Sequence, residues 1–147
     1  MSVHIGSQIL DHKPYLKMLK VIDQIINKLN FKFDFIDLGG GMGIPYKDRN
    51  KKLNYKKYNI AIKKFLENHN TKIIFEPGRS IIGNTGILIS KIIYIKTSGN
   101  KNFVILDAAM NDLMRPALYG AIHKVIPVIK KNEKVKKTFE FVGPICE

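Results

Sequence analysis

Only one cysteine, Cys146, occurs in the 147 residues, so the chain can form no internal disulfide, and it has no paired Cys/His spacing of the kind a structural zinc site needs. Acidic residues are few. Asp and Glu total 12 against 25 Lys and Arg, a formal charge of +13 that raises the question of a nucleic-acid partner. An arginine-rich stripe and an aromatic RNA-binding motif are both missing. The lysines are instead scattered, as at Lys51-Lys52, Lys56-Lys57, Lys63-Lys64 and Lys130-Lys131, which reads as solvated surface with no nucleic-acid role. No apolar run reaches the ~18 residues of a membrane span. The opening Met1-Ser2-Val3-His4-Ile5-Gly6 lacks the charged and apolar regions of a signal peptide, so the expected setting is cytoplasmic. Internal repeats and low-complexity linkers are absent too.

What is present is a soluble, globular pattern with 45% hydrophobic residues. Val3-His4-Ile5 has the character of a strand end. Beyond Asp11, a cap candidate, Pro14 suits a first helical turn, and Leu16, Leu19, Ile22, Ile25, Ile26 and Leu29 recur at helical spacing. A short strand over residues 33–38 runs into Gly39-Gly40-Gly41. A second helix is expected over residues 55–67, with Tyr58, Ile62, Phe65 and Leu66 on one face, and a buried strand over 72–76 ends at Pro77-Gly78. Strands alternating with helices across short connections are the pattern of a parallel α/β sheet or barrel. The rest reads as mostly β, with strands expected over residues 87–95, 102–107, 125–129 and 138–142 and at most a helical turn within 110–118. The change falls near residues 80–86.

The chemistry-bearing residues cluster where strands end. Gly39-Gly40-Gly41 lets backbone amides approach an anion, although a flexible turn explains it equally well and its spacing fits neither a Walker loop nor a Rossmann fingerprint. Glu76-Pro77-Gly78-Arg79 offers a carboxylate, a fixed turn, a glycine amide and a guanidinium, which suits a charged ligand or a surface ion pair. His4, Ser7, Arg115, Tyr119 and Cys146 each admit a structural role as readily as a chemical one when taken singly.

Their order along the chain is more specific. His4-Ile5-Gly6-Ser7-Gln8-Ile9, Asp37-Leu38-Gly39-Gly40-Gly41-Met42-Gly43-Ile44, Glu76-Pro77-Gly78-Arg79-Ser80, the run from Asp107-Ala108-Ala109-Met110-Asn111-Asp112-Leu113-Met114 to Arg115-Pro116-Ala117-Leu118-Tyr119-Gly120, and Gly143-Pro144-Ile145-Cys146-Glu147 together resemble the diaminopimelate decarboxylase family. That resemblance covers essentially the whole chain. It implies a pyridoxal 5'-phosphate enzyme of the alanine-racemase-like fold, which removes carbon dioxide from meso-2,6-diaminopimelate to give L-lysine. The fold expected here is α/β followed by mainly β: the last part of a (β/α)8 barrel over residues 1–82 and the incomplete start of a β domain over 83–147. Related decarboxylases of the same fold, acting on ornithine, arginine or a carboxylated polyamine, and a non-catalytic module remain the alternatives. Gln8 and the Arg115 to Gly120 run favour the first reading.

Residue by residue, the resemblance implies that His4 lies against the cofactor ring, Ser7 near its phosphate, and Gly41, Pro77, Gly78 and Arg79 around it. Glu76 would pair with the pyridine nitrogen. Arg79, Arg115, Tyr119 and Glu147 would hold substrate, and Cys146 would act as general acid. It also implies a homodimer with shared active sites. Two departures stand out. The family's cofactor-binding lysine belongs to a barrel strand earlier than anything here, so the chain is expected to be a fragment that is inactive alone, and Ala109 stands where the family usually has glycine.

Overall fold

The structure, a computed structural model, describes residues 1–47, 52–129 and 137–145. The chain divides into two compact units, residues 1–86 and 87–147.

The first unit begins with an extended segment that bridges Ser2 to Asp37, then α1 (Lys13–Leu29), β1 (Phe35–Asp37), α2 (Tyr55–Asn68), β2 (Lys72–Ile74) and the short α3 (Arg79–Ile82). Asp11 does serve the start of α1, its Oδ1 accepting from the Lys13 amide at 3.1 Å, and the proline falls in the first turn. Asn54 caps α2 through a bond from the Lys57 amide at 3.0 Å. β1 pairs in parallel with β2, Phe35 opposite Lys72 and Asp37 opposite Ile74, and the opening segment runs parallel along the other side of β1. Three extended segments therefore lie side by side in one direction, with helices between them in sequence, as α/β alternation requires.

The core of this unit is Tyr15, Met18, Leu19, Ile22 and Ile26 of α1 packed on Ile36, Leu38 and Met42 and on Tyr58 and Phe65 of α2. Burying each such aliphatic side chain contributes about 1.5–3 kcal/mol. The helical stripe expected from spacing is displaced: Leu16, Ile25 and Leu29 are exposed, because Tyr15 and Met18 take the inward positions and rotate the buried face. Tyr15 stacks on Tyr58 with ring centroids 4.4 Å apart, and its hydroxyl donates to the Gly40 carbonyl at 3.2 Å. Where the chain leaves α2, His69 Nε2 lies 2.7 Å from Asp23 Oδ1 of α1, joining the two helices.

The second unit holds β3 (Ile92–Ser98), β4 (Lys101–Leu106), α4 (Arg115–Tyr119) and β5 (Glu140–Val142) in a three-stranded sheet of order β3-β4-β5. β3 and β4 form an antiparallel hairpin across the two-residue loop Gly99-Asn100, and β5 returns parallel to β4. The α/β-then-β character expected from the sequence is what the chain has. Three strand expectations need correction. The strand expected to be buried over residues 72–76 ends at Ile74 and leaves Lys72, Ile74 and Phe75 exposed. Residues 87–91 precede the ladder, because the Lys91 amide and carbonyl are both taken by Asp107, through its Oδ1 at 2.8 Å and its amide at 3.1 Å. Residues 125–129 form no strand. Pro127 removes a ladder donor there, and the sheet takes residues 140–142 beside β4 instead.

Candidate functional site

All three parallel segments of the first unit end at the same edge, and the residues singled out in its sequence follow those ends. The Val3 amide donates to the Asp37 carbonyl at 3.0 Å, the Leu38 amide to Ile74 at 3.0 Å, and the Glu76 amide to Gly39 at 2.9 Å. This ladder sets His4, the glycine run and Glu76 next to one another.

Two glycines allow the loops to close up. A Cβ on Gly40 would collide with the Glu76 carbonyl oxygen, and one on Gly41 would collide with the Gly6 carbonyl oxygen. Gly41 also has φ +82°, a conformation that side-chain-bearing residues rarely adopt. The loop carrying His4 and Ser7, the loop carrying Gly41 and the loop carrying Glu76 are therefore in backbone contact. His4 extends over Gly39, its Nδ1 only 3.1 Å from where a Cβ would stand. Asp37 fixes the exit of β1 by accepting from the Gly39 amide at 2.8 Å and from the Ser2 hydroxyl at 3.3 Å.

His4, Ser7, Glu76 and Gly78 are exposed at this edge, and Pro77 and Arg79 are half-buried. Arg79 opens α3, where Nη1 donates to Gln8 Oε1 at 3.0 Å and the guanidinium carbon lies 5.9 Å from the centre of the Tyr46 ring. Gln8 is the residue whose contact the sequence does not disclose, since its partner lies 71 positions away. This edge therefore presents an imidazole, a carboxylate, a guanidinium and closely packed glycine loops together. That donor set fits a group with a phosphate, an aromatic ring and a basic ring nitrogen. Two surface grooves among the described residues of this unit lie elsewhere. One, near Lys32, Asp34 and Lys72, is at the opposite ends of β1 and β2, and the other is an apolar channel between Met1, Val3 and Ile5 and the Met18 and Ile22 face of α1.

In the second unit, Arg115 begins α4 and sets its guanidinium 5.5 Å from the centre of the Tyr119 ring. Arg115 Nε is buried with no hydrogen-bond partner among the described residues, whereas Tyr119 is 71% exposed. The turn before α4 is held by Asp112, whose Oδ2 accepts from the Ala109 amide at 3.0 Å while its own amide donates to the Ala109 carbonyl at 3.0 Å. Ala109 is accommodated because it faces a glycine: a Cβ on Gly143 would come within 2.5 Å of the Ala109 Cβ. Upstream, Asp107 accepts from the Ser90 hydroxyl at 2.7 Å and the Lys91 amide, bonds that hold its carboxyl below the ordinary carboxylate range. Cys146 and Glu147 lie outside the described residues.

Residues 9–147 match the family model of the pyridoxal-dependent decarboxylase C-terminal sheet domain. Diaminopimelate decarboxylase from Aquifex aeolicus is 46% identical over 147 residues, which are 98% of this chain and 35% of that protein. The enzyme of the same name from Zymomonas mobilis is 44% identical over 98% of this chain and 35% of its own length. Among solved structures, diaminopimelate decarboxylase from Helicobacter pylori complexed with L-lysine superposes with a TM-score of 0.85 at 38% identity, covering 99% of this chain and 36% of that one. The chain thus spans about 35% of the length of these curated relatives. With a matched model over nearly its whole length and relatives that share its fold, the chain belongs to the pyridoxal-dependent decarboxylase family.

Proposed function

We propose that the protein carrying this chain removes carbon dioxide from meso-2,6-diaminopimelate to give L-lysine, using pyridoxal 5'-phosphate. The observation that carries this reading is the closure of three strand-end loops through Gly40 and Gly41, which gathers His4, Glu76 and Arg79 at one edge of a chain 46% identical to a diaminopimelate decarboxylase. The cofactor, when bound, supplies an electron-withdrawing ring that accommodates the charge left at carbon as carbon dioxide departs.

In this reading the residues divide the work. Glu76 would accept a hydrogen bond from the ring nitrogen and favour its protonated form, and His4, Ser7, Gly41, Pro77, Gly78 and Arg79 would hold the rest of the cofactor, the last five at its phosphate. Arg79 and Arg115 meet substrate carboxylate; a guanidinium with a buried, unpartnered Nε, as Arg115 has, is suited to an anion. Tyr119 and Glu147 complete substrate binding, Glu147 at an ammonium. Cys146 returns a proton to the carbon that loses carbon dioxide. Residues 1–82 are the last part of the barrel and 83–147 the start of the β domain. Parallel pairing of β1 and β2 supports the first assignment, and the antiparallel β3–β4 hairpin the second. A cytoplasmic homodimer with shared active sites belongs to the same proposal. No helix among the described residues is long and apolar enough to cross a membrane.

The test is product formation by the protein built out to the length of its relatives and loaded with pyridoxal 5'-phosphate. L-lysine and carbon dioxide should appear from meso-diaminopimelate in equal amounts; absence of either contradicts the reading.

A further inference from the structure

Gln8 has φ +63°, in the left-handed region that residues with side chains keep only where their surroundings impose it. The surroundings are visible. On one side the Ile9 amide donates to Gly41 at 2.9 Å, and the Gly43 amide returns to the Ile9 carbonyl at 3.0 Å, which pins the backbone directly after Gln8. Gly43 itself is so close that a Cβ there would stand 2.8 Å from the Gln8 carbonyl carbon.

The side chain held in this way is fully oriented. Its Nε2 donates to the Ile44 carbonyl at 2.5 Å, and its Oε1 faces the Ile44 amide at 3.4 Å and Arg79 Nη1 at 3.0 Å. Turned over, the amide would set its NH2 against two donors and its oxygen against a carbonyl, so only one orientation satisfies the group. Arg79 is thereby fastened on one nitrogen by a neutral acceptor, with the Tyr46 ring 5.9 Å from its guanidinium carbon. A neutral amide uses one of the five guanidinium N–H groups and leaves the positive charge uncompensated. A carboxylate at the same place would fasten the arginine and also neutralise it.

We propose that Gln8 is a positioning residue: it aims the Arg79 guanidinium and keeps its charge available for a carboxylate of the substrate. This rests on the reading of Arg79 as a substrate ligand. Gln8 does not touch the reacting atoms, so it acts on affinity and leaves the chemical step alone.

The experiment compares the parent holoenzyme, built out to the length of its relatives, with its Gln8→Leu, Gln8→Glu and Arg79→Leu variants. It reads KM and kcat for meso-diaminopimelate, and calorimetric affinity for L-lysine and for cadaverine, which has no carboxylate. Gln8→Leu and Gln8→Glu should each weaken L-lysine binding and raise KM about tenfold or more, with kcat changed less than about threefold and cadaverine affinity unchanged. Gln8→Glu keeps the acceptor toward Arg79 and the size but loses the donor to the Ile44 carbonyl, so its unchanged cadaverine affinity is what separates loss of the arginine's free charge from a failure to fold. If both Gln8 variants bind L-lysine like the parent while Arg79→Leu does not, the role given to Gln8 is overturned alone. If Arg79→Leu also binds like the parent, or the parent binds no L-lysine, the ligand reading of Arg79 falls and this inference with it.

Discussion

Gly40 touches the backbone of Glu76 so closely that no side chain fits between them, and this contact joins the glycine loop to the loop that carries the carboxylate and Arg79. Gly40→Ala should therefore force the two strand ends apart. The expected cost is about 1–3 kcal/mol of stability, read by denaturant unfolding, together with weakened pyridoxal phosphate binding in the holoenzyme. An alanine variant with unchanged stability and cofactor affinity would show that the loops are not in contact.

The stacked tyrosines of the core should respond to the same substitution in opposite ways. Tyr15 donates to the Gly40 carbonyl, so Tyr15→Phe loses a bond and leaves that carbonyl without it, at a cost of about 1–2 kcal/mol. The Tyr58 hydroxyl is buried with no hydrogen-bond partner among the described residues, so Tyr58→Phe should be neutral or stabilising. Thermal unfolding of the two variants beside the parent decides it.

Ala109 and Gly143 should be coupled. Gly143→Ala sets its methyl within 2.5 Å of both the Ala109 methyl and the Ala108 carbonyl oxygen and should destabilise the second unit, whereas the double variant Ala109→Gly with Gly143→Ala relieves only the methyl contact and should recover part of the loss. A double-mutant cycle should show about 0.5–3 kcal/mol of interaction between the positions, and strict additivity would contradict the packing.

Asp107 gives a pH dependence with a definite sign. Bonds from the Ser90 hydroxyl and the Lys91 amide lower its pKa below 3.8, so folding favours the ionised form. Its contribution is complete above that value and is lost as the pH falls through the lower, folded value. Asp107→Asn should flatten the acid end of the stability profile, followed by circular dichroism, while leaving the slope near neutral pH unchanged.

How much of this was legible in the sequence depends on how local the cause is. The strand, glycine run and Glu76 turn were legible because alternation, strand ends and glycine are written in consecutive residues. Asp11 and Asn54 likewise cap helices a few residues away. The rotated face of α1 was not, because Tyr15 faces inward to meet Tyr58 and Gly40, partners in other elements. The unpaired 125–129 segment misled because a run of branched residues has strand propensity whether or not a neighbouring strand is available, and only Pro127 warned against it. Within the site, His4 and Arg79 could be named from motif order, but the bond from Arg79 to Gln8 depends on the parallel register of three segments and on a left-handed residue. Neither is visible as a sequence pattern.

Substrate choice tests the proposed decarboxylation most directly. In the holoenzyme built out to the length of its relatives, kcat/KM for carbon dioxide release from meso-diaminopimelate should exceed that from L-ornithine and L-arginine by about 100-fold or more, because those substrates carry no second carboxylate for the half-buried Arg79 and Arg115. Equal release from L-ornithine or L-arginine, or none from meso-diaminopimelate, would contradict it.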